Sequence, residues 1–255
     1  MHFAVCICQV PDTASVIGFV DGVIDRSRVN EVINPYDEYA LEEALRQKEL
    51  FGGSTVTVFC AGPPSAAEVL RKALAMGADR AFLVTAEPVD PWQTAHLLCR
   101  AILAVYSSHL PDLLFCGKHS TDFQSGQVPS MLAELLGIAS FSGVISIEAS
   151  GEGITLEREI EGGVESAFLP YPALISAEKG LNIPRKTSIK GVMEGRKKPL
   201  ETLAISIEEP PFVILSGIEP LSRKKTCCFL QDETDLVELL GYKLALLQSS
   251  RKKRQ

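Results

Sequence analysis

The chain has 255 residues, of which 46% are hydrophobic, and it carries a formal net charge of −7. This length and composition allow a buried core in one large domain or in a main domain with an appendage. The negative charge argues against general nucleic-acid binding, and no run reaches the roughly 18 apolar residues of a membrane helix, so neither nucleic acid nor a membrane span is expected.

The first predicted element is a strand from Phe3 to Cys8, where apolar residues form a short continuous run. A hairpin-like excursion containing Asp21-Gly22 follows, and Asn34-Pro35-Tyr36-Asp37 then predicts the start of a helix. Asn34 can cap this helix, Pro35 suits its first turn, and Asp37 places negative charge near the positive end of the helix dipole.

The rest of the first half alternates strands with helices. In the first helix Leu41, Ala44 and Leu45 predict a buried stripe, whereas Glu42 and Arg46 are expected one turn apart on its exposed side. Further strands are predicted at 55–60, 81–84 and 113–116, and further helices after the capping box Ser65–Glu68, after Asp90-Pro91, and from the loop 118–125 to Leu136. This alternation predicts a three-layer α/β fold with a mostly parallel sheet.

The second half has a different pattern. Short alternating segments joined by Gly-containing turns predict strands that add antiparallel pairing to the sheet, at 143–147, 154–160, 165–169 and 173–176. From Asn182 onward the periodicity weakens into loop, prolines and basic residues, with one last helix predicted from Asp232 to Leu247. The basic runs 196–198, 223–225 and 251–254 are interpreted as solvated tails.

Three strand ends carry sequences suited to a ligand, because open parallel sheets bind ligands at the carboxyl ends of their strands. They are 8–13, 60–64 and 117–128. In 117–128, small and hydroxyl residues directly precede a helix, so free backbone N–H groups and the helix dipole could meet a phosphate there. An ordinary polar loop with a Ser cap explains the same residues, and His119 is a weaker candidate for ligand contact.

Stand-alone catalytic and metal sites are not indicated. The sequence has no GxGxxG after the first strand, no GxxxxGK[ST] loop and no GxSxG elbow. The four histidines share no metal-ligand spacing, and the seven cysteines form no CxxC pair, so we predict no metal and no disulfide framework. The cysteines are interpreted as buried apolar residues in a reducing cytoplasm, since the N-terminus also lacks a signal-peptide pattern.

Several blocks of the sequence resemble one protein family in order. The segments are Asn34 to Leu45, Leu74 to Arg80, Pro111 to Leu113 with Gly117-Lys118, Gly126 to Pro129, Glu157 to Glu165, Pro172 to Ile175, Leu181 to Arg185 and Met193 to Lys198. They resemble the beta subunits of electron transfer flavoproteins. Departures include Phe123 in the nucleotide loop and Ile183 where the family motif NEPR has glutamate.

The resemblance implies an adenine-nucleotide alpha-hydrolase-like fold and an obligate heterodimer with an alpha subunit that carries FAD. It implies a nucleotide-binding α/β domain at 1–190, and an arm and helix at 191–255 that contact the alpha subunit. The beta chain would itself hold AMP, or a second FAD in electron-bifurcating members. Carried over, that site comprises Cys6, Asn34, Pro35, Tyr36, Asp37, Ala61, Gly117, Lys118, Ser120, Thr121, Asp122, Gln124, Ser125, Gly126, Gln127 and Val128.

The resemblance also implies residues outside the nucleotide loop. Thr13 and Tyr36 would approach the alpha-bound flavin, and Arg158 and Glu159 would lie in that flavin's environment. Ile189 falls where the family has a leucine that docks acyl-CoA dehydrogenases, and an exposed aliphatic residue on a basic-flanked loop suits transient docking.

Three functions are compatible with these observations. The leading one is an electron carrier between flavin dehydrogenases and an acceptor, with one flavin per heterodimer. The second is a bifurcating flavoprotein that oxidises NADH and holds two flavins. The third, a stand-alone nucleotide-binding or stress-type sensor domain, predicts a stable monomer instead of dependence on an alpha chain.

Overall fold

A computed structural model of the protein describes residues 1–20, 23–107 and 109–218, together with 229, 233, 234, 236–238, 240 and 241. The chain divides into two compact units, Met1–Ile218 and Glu219–Gln255. In the second unit, the described residues between 233 and 241 are helical. The rest of the helix predicted from Asp232 to Leu247, and the basic runs 223–225 and 251–254, lie outside the described residues.

Within its described residues, the first unit contains thirteen strands and five α-helices. The strands are β1 (His2–Cys6), β2 (Gln9–Pro11), β3 (Gly18–Val20), β4 (Val23–Asp25), β5 (Glu31–Ile33), β6 (Thr55–Gly62), β7 (Arg80–Thr85), β8 (Leu113–Gly117), β9 (Ala139–Ala149), β10 (Gly153–Ile160), β11 (Gly163–Pro170), β12 (Ala173–Ala177) and β13 (Leu200–Leu203). The helices are α1 (Pro35–Leu50), α2 (Ala67–Met76), α3 (Pro91–Tyr106), α4 (Val128–Leu136) and α5 (Ile189–Lys197).

Nine of the strands form one sheet in the order β11-β10-β9-β12-β8-β1-β6-β7-β13. Strand β1 is parallel to both of its neighbours, β6 and β8, while β10 is antiparallel to β9 and to β11. The chain leaves β1 through α1 toward β6 on one side, and β8 is added later on the other side. The carboxyl ends of β1 and β8 therefore flank the point where the connections diverge, which is where sheets of this kind bind ligands.

Two apolar layers confirm the predicted three-layer fold. Alternate residues of β1 point to opposite faces: Phe3 and Val5 pack in the core that includes α1 and α2, whereas Ala4 and Cys6 pack in the core that includes α3 and α4. The predicted stripe Leu41, Ala44 and Leu45 of α1 is buried in the first of these cores. The sheet is thus covered on both faces, as its continuous apolar strands require.

Some local predictions were wrong. Helix α2 begins at Ala67 without a side-chain cap, and the Ser65 hydroxyl donates instead to Gln9 Oε1 at 3.2 Å, so the predicted capping box does not form. Glu42 was expected to be exposed but is buried, although it does pair with Arg46 at 3.2 Å. A second cation, from Arg185, faces Glu42 at 2.8 Å, and this partner explains how the carboxylate is accommodated inside.

Residues beyond Asn182 contain more regular structure than the weak periodicity indicated. Helix α5 packs on α2, and β13 pairs in parallel with β7 at the edge of the sheet. In the basic run 196–198, Lys198 is not a solvated tail, because its Nζ donates to the carbonyl oxygens of Leu74 at 3.2 Å and Ala78 at 2.6 Å. Lysine thus satisfies carbonyl groups at the C-terminal end of α2. None of the described helices is long and apolar enough to cross a membrane.

Candidate functional site

A cavity of about 560 Å³ opens at the carboxyl ends of β1 and β8. Most of the residues predicted for nucleotide contact line it, although they come from four separate stretches of the sequence. These are Cys6, Asn34, Asp37, Ala61, Gly117, Ser120, Asp122, Ser125, Gly126, Gln127 and Val128. His119 also lines the cavity, and its ring lies 4.3 Å from that of Tyr36.

A buried carboxylate joins the two strand ends at the base of this cavity. Asp37, in the first turn of α1, accepts hydrogen bonds from the backbone N–H of Cys8 at 2.7 Å and of Gly117 at 2.9 Å. Burial raises the pKa of Asp37 to about 6, and the hydrogen bonds from Cys8, Asn34 and Gly117 oppose this rise by stabilising the ionised form. Asp37 therefore fixes the separation of β1 and β8.

Gly117 is required by this arrangement. A Cβ atom at this position would lie 2.3 Å from Asp37 Oδ1 and 2.8 Å from both the Asp37 backbone nitrogen and the Tyr36 carbonyl carbon. The glycine thus lets the end of β8 approach the first turn of α1 closely enough to donate to the carboxylate.

Asn34 holds the loop after β8. It occupies the N-cap position of α1, but its side chain makes no capping hydrogen bond. Its Nδ2 donates to the His119 carbonyl at 2.9 Å, and its Oδ1 accepts from the Thr121 N–H at 3.2 Å. The cap predicted from sequence is therefore replaced by two bonds that attach residues 119–121 to the start of α1.

The loop that follows presents unpaired backbone donors. The N–H groups of residues 125–128 make no hydrogen bond within the part of the chain that the structure describes. Gln124 and Gly126 have left-handed φ values of 54° and 64°, and Gln127, the N-cap residue of α4, gives no side-chain cap. Together with the α4 dipole, these free donors fit an anionic group such as a phosphate.

Five predicted residues do not line the cavity. They are Pro35, Tyr36, Lys118, Thr121 and Gln124. Lys118 instead forms an ion pair with Glu178 and donates its N–H to the Ala177 carbonyl at 3.0 Å. The Thr121 hydroxyl oxygen is buried and has no partner among the described residues.

Sequence reasoning missed one wall of the cavity, formed by residues 213–216. Asp90 holds this segment: its Oδ1 caps α3 through the Gln93 N–H at 2.9 Å, and its Oδ2 accepts from the N–H groups of Phe212 at 2.6 Å and Val213 at 3.2 Å. Burial acts to raise the pKa of Asp90, but these backbone donors outweigh it and lower the pKa. The Asp90-Pro91 helix start predicted α3, but nothing in the sequence indicated the distant partner.

The remainder of the cavity is apolar or neutral. Val89, Leu98, Ile214 and Leu215 contribute aliphatic surface, and Cys6, Cys8 and Cys116 contribute thiols. Burial, followed by the charge of Asp37, raises the pKa of Cys8 well above its usual range. A hydrogen bond with Cys6 and burial raise the pKa of Cys116 likewise. The thiols of Cys8 and Cys116 are therefore protonated. The described cysteines, Cys6, Cys8, Cys60, Cys99 and Cys116, are all free.

Residues predicted near a flavin lie apart from the cavity lining. Thr13 follows β2 and is exposed, and Glu159 is exposed on β10. Arg158 is held by Glu165 of β11 at 2.6 Å, and its guanidinium lies 4.6 Å from the ring centroid of Phe141.

Ile189 begins α5 and is 85% exposed. Within the described residues, no group of three or more His, Cys, Asp or Glu side chains is arranged to hold a metal ion.

Comparisons with known proteins agree with this architecture. A family model described as the electron transfer flavoprotein domain matches residues 21–208. The electron transfer flavoprotein subunit beta of Syntrophomonas wolfei is 37% identical over 83% of this chain and 82% of its own length. The subunit of the same name from Thermoanaerobacterium thermosaccharolyticum is 41% identical over 78% of this chain and 76% of its own. That from Bacillus subtilis is 37% identical over 80% and 79%.

Proposed function

The chain belongs to the electron transfer flavoprotein family, among its beta subunits, and from this premise we propose that it carries electrons between flavin dehydrogenases and an acceptor. Membership implies an alpha-subunit partner and association with flavin. In the proposal the alpha subunit holds the redox-active FAD, and this chain holds an adenine nucleotide. The flavin supplies the electron chemistry, and this chain supplies position and electrostatics.

The observation that carries the proposal is the cavity at the ends of β1 and β8, with its unpaired donors at residues 125–128. Those N–H groups would hold a phosphate. Gly126 has no side chain, so the phosphate can approach its backbone closely. The aliphatic residues Val89, Leu98 and Leu215 offer surface for a base. Asp37 and Asn34 would act as positioning residues, because their hydrogen bonds fix the strand ends and the loop.

Nucleotide analysis of the co-purified heterodimer tests this assignment. The two chains are co-expressed, the complex is denatured, and the released nucleotides are separated and quantified. We expect one AMP and one FAD per heterodimer. Two FAD per heterodimer, both reducible by NADH, would identify the bifurcating alternative. A stable monomer of this chain that does not associate with the alpha subunit would refute both and favour a stand-alone domain.

A second part of the proposal places Thr13, Tyr36, Arg158 and Glu159 near the alpha-bound flavin. The exposed carboxylate of Glu159 and the firmly held Arg158 support it, because fixed charges alter the potential of a nearby flavin. Replacing Glu159 with Gln should raise the flavin midpoint potential in a redox titration, since a negative charge disfavours the reduced ring. Glu157→Gln is the matched control, and equal potentials in wild type and Glu159→Gln would remove this residue from the flavin environment.

The remaining parts concern partners and location. We propose that an acyl-CoA dehydrogenase docks at Ile189, that residues 191–255 include contacts with the alpha subunit, and that the heterodimer is cytoplasmic. The exposure of Ile189 supports the first, and free thiols among the described cysteines support the last. Reduction of the heterodimer by a purified acyl-CoA dehydrogenase with its substrate tests the docking partner, and cell fractionation tests the location.

A further inference from the structure

The segment between β12 and β13 displays large aliphatic side chains to solvent. Ile183 is 83% exposed, Ile189 is 85% exposed and Met193 is 62% exposed. We call these three residues the outer patch. Isolated apolar residues on a surface need no explanation, but here the backbone beside the exposed side chains is fixed by specific contacts, and this does need one.

Ile183 is presented between two anchors on α1. On one side Asn182 Nδ2 donates to the Tyr39 carbonyl at 2.9 Å and to Glu43 Oε2 at 3.1 Å. On the other, the Arg185 backbone N–H and guanidinium both bind the buried Glu42 carboxylate, at 3.0 Å and 2.8 Å. Because Ile183 itself is largely exposed, these bonds fix the backbone of an outward-pointing aliphatic residue.

Ile189 is presented by a second, independent attachment. Ser188 caps α5 by accepting the Gly191 N–H at 3.0 Å. A Cβ on Gly191 would lie 2.5 Å from the Ala75 carbonyl oxygen, and one on Gly195 would lie 2.7 Å from the Ala75 nitrogen. Two glycines one turn apart thus let α5 lie directly against α2.

Both attachments are on the same layer of the molecule. Helices α1 and α2 cover one face of the sheet and are joined by Lys72 and Glu38 at 2.6 Å. Only six residue steps separate Ile183 from Ile189, so the two Cα atoms lie within about 21 Å of each other. Because both side chains are also exposed, a single partner surface of ordinary size can reach both.

The outer patch has a basic border on a chain of net charge −7. Lys186, Arg196 and Lys197 have no ion-pair partner among the described residues, and Lys190 is 3.8 Å from Glu194. Arg196 also lines a groove of about 380 Å³ between α2 and α5, with Arg71 and Thr187. The complementary surface is an apolar recess bordered by carboxylates.

We propose that Ile183 is a second docking residue, which together with Ile189 seats the flavin dehydrogenase that donates electrons. This inference rests on the proposed function. Pre-positioned aliphatic anchors reduce the entropy lost on transient binding, which suits a carrier that must bind and release repeatedly. A symmetric contact with a second copy of this chain would bring the basic borders together, so like charge opposes it.

The test uses the purified heterodimer and a purified acyl-CoA dehydrogenase with its acyl-CoA substrate, following flavin reduction by absorbance. The variants are Ile183→Ala and Ile183→Glu, and Leu103→Glu on α3 is the control, because it alters an exposed aliphatic residue on the opposite layer. We expect KM for the dehydrogenase to rise about 5-fold in Ile183→Ala and roughly 20-fold or more in Ile183→Glu, with kcat at saturation and the Leu103→Glu variant unchanged.

Each other outcome has a distinct meaning. If the wild-type heterodimer accepts no electrons from the dehydrogenase, the proposed function fails and this inference fails with it. If wild type is reduced and Ile183→Glu has the wild-type KM, only the docking role of Ile183 is overturned. Loss of heterodimer assembly in Ile183→Glu would overturn it too and assign the patch to the alpha subunit. Binding of the wild type, but not Ile183→Glu, to anionic lipid vesicles with unchanged KM would assign it to a membrane surface.

Discussion

At the base of the cavity, the Asp37 carboxylate accepts the N–H groups of Cys8 and Gly117, and this pair of hydrogen bonds is called the clamp. Replacing Gly117 with Ala is its sharpest test. The added methyl would lie 2.3 Å from Asp37 Oδ1 and 2.8 Å from backbone atoms of Tyr36 and Asp37, well inside the ordinary contact distance of about 3.5 Å. The carboxylate could rotate away, but the backbone of the first turn of α1 cannot, so β8 must shift.

The expected cost combines two terms. Overpacking in a well-packed interior costs about 1–3 kcal/mol, and a displaced β8 also loses its hydrogen bond to an ionised carboxylate, which is worth about 1.5–3 kcal/mol. A loss of about 4 kcal/mol lowers Tm by roughly 10 °C for a unit of this size. Nucleotide retention should fall as well, because the same shift moves the loop after β8.

Thermal denaturation of the purified heterodimer measures the effect, with nucleotide content after gel filtration as the second readout. Gly52→Ala is the matched control, since a Cβ at Gly52 meets nothing within 4 Å. Tm values for Gly117→Ala and Gly52→Ala within about 2 °C of each other would refute the clamp, because that difference is less than 1 kcal/mol.

Three further changes test other contacts. Glu42→Gln should destabilise the protein by about 2 kcal/mol at pH 7, less than the roughly 3–5 kcal/mol of a fully buried pair because the Arg185 side chain is 33% exposed. Arg185 lowers the pKa of Glu42 against the effect of burial, so this stability is present above the unfolded pKa of 4.5 and is lost in acid. In a denaturation series, the unfolding free energies of wild type and variant should therefore converge toward pH 3. For Asp37, whose pKa is raised to about 6, the sign is opposite: the stability of wild type relative to Asp37→Asn should fall by about 2 kcal/mol between pH 4 and 7, and a rise would contradict the raised pKa. Gly195→Ala should separate α5 from α2 by crowding Ala75, and faster tryptic cleavage near residue 190 measures it; wild-type cleavage rates would show that the close approach is dispensable.

Local patterns predicted the central fold well. The alternation of short apolar runs with helical periodicity indicated the layers, and the Asp90-Pro91 start of α3 is confirmed by the Gln93 N–H bond to Asp90. Helix α5 was missed because two glycines lower its helical propensity, and these same glycines are what allow it to lie on α2. A residue can thus oppose a local prediction and still favour the element through packing.

The candidate site shows the same division. The small and hydroxyl residues of 117–128 indicate an anion-binding loop through their local pattern alone, and that loop does line the cavity. The wall at 213–216 could not be predicted, because Asp90 binds Val213 across 123 residues of sequence. Asn34 was assigned to the wrong partner for a related reason: a capping residue is recognised by its neighbours, whereas its bonds to residues 119 and 121 are distant.

Up to β12, the sequence by itself determined the order of the main strands and helices and which of their faces are apolar, because both depend on the spacing of neighbouring residues along the backbone. Only the tertiary structure decided that Asp37 joins Cys8 to Gly117, and that Glu42 is buried beneath Arg185. Those contacts depend on which strands become neighbours and how closely helices approach them, and a buried carboxylate is stable only where such distant donors converge on it.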